Sequence, residues 1–68
     1  MKICEKDLSK REIEVLKLVT EGKSNTQIGI MLNISSHTAK AHLNSIFEKL
    51  NVHDRICAAV KAVRENII

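Results

Sequence analysis

Sixty-eight residues with a formal charge of +3 make one small domain with one core. Hydrophobic residues are 44% of the chain, nearly all Ile, Leu, Val and Ala; Phe47 is the one aromatic, and Pro, Trp and Tyr are absent. This suits a helical bundle, leaves little from which to build a catalytic cleft, and permits a nucleic-acid partner without requiring one.

Cys4 and Cys57 are too few for a disulfide framework, and reduced thiols in a cytoplasm are the expected state. Nothing resembles a signal peptide, and no apolar run approaches the ~20 residues of a membrane span. A soluble, cytoplasmic protein without a membrane partner is expected. Residues 1–7 show no period and are expected to be a flexible tail, with the domain over 8–68.

The first helix starts at Ser9, where Glu12 three residues later completes a capping box ahead of an apolar run. Ile13, Val15, Leu16, Leu18 and Val19 give it a broad buried face, and Gly22 ends it where a left-handed residue is wanted. Ser24 and Gln27 form a second capping box. The helix they open is about two turns long, with Ile28 and Leu32 facing inward. Gly29 costs ~1 kcal/mol of helix propensity relative to Ala, which makes sense if another helix crosses close by. Ile30 points away from the inward face. The turn Asn33-Ile34-Ser35 follows, with Ile34 expected to plug the angle between helices and Ser35 to cap the third.

The third helix, over 35–50, has two faces of different chemistry. Ala39, Leu43, Ile46 and Leu50 fall on one line at 100° per residue. The opposite arc holds His37, Lys40, Ala41, Asn44 and Ser45. A helix that packs on one side and offers Lys, Asn and a methyl group on the other suits a DNA major groove, because Lys and Asn can hydrogen-bond base edges and a methyl can touch thymine. Asn51 is placed to end the helix in the left-handed region. Asp54 then caps a fourth helix running to about Asn66, with a stripe of Ile56, Ala59, Val60, Val63 and Ile67 and small Ala58, Ala59 and Ala62 that permit close approach.

A short helix, a three-residue turn and a longer helix with a polar outer face make a helix-turn-helix. The chain over residues 8–63 resembles the LuxR/GerE-type DNA-binding domain, the output module of NarL/FixJ-type response regulators. The matching elements are L-[ST]-x-R-E-x-E-V-L, G-x-S-N, L-x-I-S-x-x-T, K-x-H and K-L-x-V-x-x-R. The resemblance implies an all-α, four-helix tetrahelical domain of a transcriptional regulator, either stand-alone or the output part of a longer protein. It implies a third helix in the major groove of duplex DNA and a fourth that pairs two subunits weakly on an inverted repeat.

Carried onto this sequence, Lys40, Ala41 and Asn44 take the base-facing positions, and Thr38 and His42 the positions at or near the DNA backbone. Ser24 and Asn25 sit at a helix N-terminus that meets phosphate, a place where free N–H groups also favour an anion. Lys23 and Lys49 are further phosphate candidates. The fourth-helix stripe is the dimer candidate, and Arg55 matches a position expected to pair with Glu12 or Glu14. RNA polymerase is a further candidate partner. Five positions depart from the family's habit: Thr26-Gln27 replaces Lys-Glu, Ala39 replaces Val, Gly29 replaces Ala and Asn51 replaces Gly. The missing charge at position 26 removes one expected phosphate contact.

His37, His42 and His53 lack the i, i+4 spacing of a helical ligand pair, so no metal or other cofactor is expected. No Ser-His-Asp order or Gly-rich phosphate loop appears. The rival is an interaction module of the sigma-factor region 4 kind, which binds promoter and polymerase. S-x-R-E-x-E-V-L and Q-I-G resemble it too, but T-A-K-A-H and K-L-N-V-H-D-R fit the LuxR type better.

Overall fold

The computed structural model describes residues 8–67. The tail expected over 1–7, Cys4 and the final Ile68 lie outside the described residues. Four helices follow in order: α1 (Lys10–Thr20), α2 (Asn25–Leu32), α3 (Ser36–Leu50) and α4 (Arg55–Arg64). The all-α, four-helix expectation holds.

Each helix begins on a side chain that accepts a backbone N–H. Ser9, Ser24, Ser35 and Asp54 take the amides of Glu12, Gln27, Thr38 and Cys57, and both predicted capping boxes are complete. The Cys57 amide holds the Asp54 carboxyl below its ordinary range, and Asp54 in turn pushes the Cys57 thiol up.

The helices also end alike. Gly22, Asn33, Asn51 and Asn66 have φ of 83°, 60°, 58° and 54°. After each, the next amide reaches five residues back: Lys23 to Leu18, Ile34 to Gly29, Val52 to Phe47 and Ile67 to Ala62. This is the Schellman closure, which satisfies the last carbonyls and turns the chain sharply. Lys61 adds to it by donating to the Leu50 carbonyl at 2.8 Å, a cation from α4 at the C-terminal end of α3.

α3 packs against each of the other three helices. Its line of Ala39, Leu43, Ile46 and Leu50 is buried with Val15, Leu16 and Val19 of α1, Ile28 of α2, and Ala58 and Ala62 of α4. Gly29 is buried, but what crosses it is the turn. A Cβ there would lie 2.6 Å from the Ile34 carbonyl oxygen, because the closure after α2 folds residues 34–36 back over it.

Two fourth-helix expectations change. Ile67, expected in the dimer stripe, is core instead, 2% exposed. Its helical angle does not apply, because α4 stops at Arg64 and the left-handed Asn66 swings the chain inward. Ala59 is half-buried and packs on the core, so its place in the stripe is marginal.

Candidate nucleic-acid interface

Burying one side of α3 leaves His37, Lys40, Ala41, Asn44 and Glu48 exposed on the other. The Lys40 side chain makes no hydrogen bond or ion pair among the described residues. It lines a shallow groove with Asn25, Asn44, His53 and Arg55, where the N-terminal ends of α2 and α4 approach α3. Glu48 closes the far end of the polar face. Its negative charge limits the positive part of that face to the first turns of α3.

The other margin of α3 faces α1 and has a different use. Ser45 donates to Glu12 Oε2 at 2.6 Å, and Lys49 donates to Oε1 at 2.8 Å. The Ser9 amide donates to the same Oε1. Burial alone would raise the pKa of Glu12. The hydrogen bonds from Lys49, Ser45 and Ser9, with the Lys49 charge, outweigh it and hold the pKa at about 2.

Ser45 belongs to the α1–α3 contact rather than the outer arc, and Lys49, expected at phosphate, pairs with Glu12 within the chain. The sequence did carry a signal: Glu12 precedes Val15, Leu16 and Val19 by three, four and seven residues, which puts it on the buried stripe of α1.

At the start of α2, the capping box consumes the amides of Ser24 and Gln27. The Asn25 and Thr26 amides have no partner among the described residues, which makes the first turn an anion-receptive end. Ser24 and Thr38 are exposed. Their hydroxyls accept from the Gln27 amide and from Ser35 Oγ, so each keeps its own hydrogen to donate. Lys23 and His42 are half-buried along these margins. Arg55 does not meet Glu12 or Glu14 as expected. Glu14 pairs with Arg11 at 3.5 Å, while Arg55 Nη2 donates to Asn25 Oδ1 at 3.0 Å. Among the described residues no group of three or more His, Cys, Asp or Glu could hold a metal ion.

On α4, Ile56, Val60 and Val63 are 73%, 47% and 61% exposed, an apolar stripe about 60° wide by helical angle. On α2, Ile30 and Met31 are also exposed, at 76% and 55%.

Residues 6–62 match the family model described as bacterial regulatory proteins, luxR family. The chain belongs to the LuxR family of bacterial regulatory proteins. It is 48% identical over 61 residues to the transcriptional regulatory protein LiaR of Bacillus subtilis (strain 168), a match covering 90% of this chain and 29% of that protein. Against the transcriptional regulatory protein DegU of Brevibacillus brevis the identity is 47% over 57 residues, covering 84% of this chain and 24% of that one. The crystal structure of the response regulator ChrA of a heme-sensing two-component system superposes with a TM-score of 0.86 at 43% identity, over 90% of this chain and 30% of that one. The chain thus spans under a third of the length of these LuxR-family relatives, and its fold is that of a response regulator's LuxR-type helix-turn-helix. No described helix is long and apolar enough to cross a membrane.

Proposed function

We propose that this chain binds duplex DNA sequence-specifically, as the DNA-binding part of a cytoplasmic transcriptional regulator, with α3 in the major groove. The observation that carries the reading is the unpaired, exposed Lys40 beside Ala41 and Asn44 on a helix whose opposite side is core. Lys40 suits guanine acceptors, Asn44 an adenine edge and Ala41 a thymine methyl. Ser24, Asn25, Thr38, His42 and Lys23 line the margins for phosphate oxygens, which fix register without reading sequence. The reading needs no cofactor.

Ile56, Val60 and Val63 form the dimer contact, with Ala59 at its rim. So short a stripe falls at the low end of the ~1,200 Å² class, and association is transient in free solution. Two half-sites of an inverted repeat raise the effective concentration and hold the pair together. Selection from a random duplex pool tests the function, and an inverted repeat is the expected product. Sedimentation tests the dimer: monomer alone and two chains per palindrome are expected. A one-to-one complex on a palindrome removes the α4 dimer.

One observation favours a second contact, with RNA polymerase. Ile30 and Met31 are adjacent, apolar and exposed. Ile30→Lys is expected to leave DNA affinity unchanged and to reduce transcription from a responsive promoter; equal transcription sinks this contact.

A further inference from the structure

Arg55 opens α4, and Asn25 opens α2. The hydrogen bond between them is a side-chain link between these two helices, which meet beside the outer face of α3. A guanidinium has donors only, so the Asn25 amide must turn its oxygen to Arg55 and its nitrogen away. Asn25 Nδ2 makes no hydrogen bond among the described residues, yet no buried side-chain polar atom there lacks a partner. The nitrogen of this half-buried residue therefore reaches solvent. It does so on the same first turn of α2 that carries the unbonded amides of Asn25 and Thr26.

We propose that Arg55 is a positioning residue for DNA binding, holding the Asn25 amide so that its N–H groups join the Asn25 and Thr26 backbone amides on one phosphate. An amide free to rotate would spend part of its time with the oxygen outward, where it repels a phosphate oxygen. Fixing it removes that penalty and the entropy of ordering the side chain on binding. The link also ties the N-terminal end of the dimer helix to the phosphate site, so α2, α3 and α4 meet the duplex as one unit. This rests on the DNA-binding reading above.

The test is a double-mutant cycle on the 68-residue chain with a duplex selected from a random pool. Arg55→Ala, Asn25→Ala and their combination are measured at several salt concentrations, with thermal midpoints as the folding check. Each single change is expected to weaken binding about three- to tenfold, and the double no further than the worse single. The slope of log affinity against log salt is expected to stay at the wild-type value, because an amide releases no counterion.

If the two losses multiply, the residues act independently and the positioning role is overturned. If Arg55→Ala flattens the slope by about 0.9, the guanidinium itself neutralises a phosphate, and the role is overturned again. Should Arg55→Ala not fold, Arg55→Met keeps the apolar stem and takes its place. Lys40→Ala in the same assay separates the two levels. A weakened Lys40→Ala with independent losses at 25 and 55 overturns only the positioning role. A wild-type chain that binds no duplex overturns both.

Discussion

Lys40 and Lys49 sit on one helix, bear the same charge, and are both exposed, yet only one has a partner among the described residues. Lys49 spends its charge on the buried Glu12, together with Ser45 and the start of α1. Lys40 spends its charge on nothing within the described residues and stands over a groove. The difference comes from the neighbour across the helix contact. α3 shows α1 a margin where a carboxylate is buried, and shows solvent a face where none is. A lysine on a recognition helix is thus a candidate contact only after its intramolecular partners are known.

The most severe way to probe the structural side is acid. The pKa of Glu12 is about 2 in the folded chain against 4.5 ordinarily. Its contribution is therefore complete above 4.5 and is lost as pH falls from 4.5 towards 2. The loss should reach about 3 kcal/mol, a large share of the stability of so small a domain. Thermal midpoints against pH measure it, and Glu12→Gln should flatten the curve over that range. An equally steep curve in the variant would place the acid sensitivity elsewhere.

On the functional side, Lys40→Ala should keep the wild-type helical circular-dichroism spectrum and thermal midpoint while losing about 1–3 kcal/mol of operator binding. Unchanged affinity in that folded variant would end the comparison. Lys49→Met should show the reverse. It leaves the Glu12 carboxylate with two donors in place of three and should cost about 1–2 kcal/mol of stability, a figure discounted for the exposure of the lysine. The salt dependence of DNA binding should be unchanged, and a flatter slope would return Lys49 to the phosphate contacts. The smallest effect is expected at Lys61. Lys61→Met removes the hydrogen bond to the Leu50 carbonyl and should lower stability by about 1 kcal/mol, read by denaturant unfolding, with no change in affinity.

Much of this protein was legible along the chain. Ser9, Ser24, Ser35 and Asp54 announce the helix starts, and Gly22 and Asn51 the stops, because caps are contacts between residues close in sequence. The buried line of α3 and the polar face opposite follow from periodicity alone. The motifs then show the family, and the resemblance offers Lys40, Ala41 and Asn44 as the base-facing candidates.

What tertiary structure decided are the places where one element meets another. Periodicity assigns Ile67 to the α4 stripe, but the left-handed Asn66 breaks the period and delivers it to the core. The outer arc of α3 includes Ser45 until α1 brings Glu12 to it, and the same contact gives Lys49 a carboxylate partner inside the chain. Arg55 finds an amide thirty residues away in place of the carboxylates expected for it. The sequence by itself determined what depends on neighbours within about four residues: the N-caps, the order and starts of the helices, and the buried line of α3. Only the tertiary structure could say which polar side chains were already taken, because a charge or an amide is used up by whatever partner the fold carries within about 3 Å, and that partner has no fixed distance along the chain.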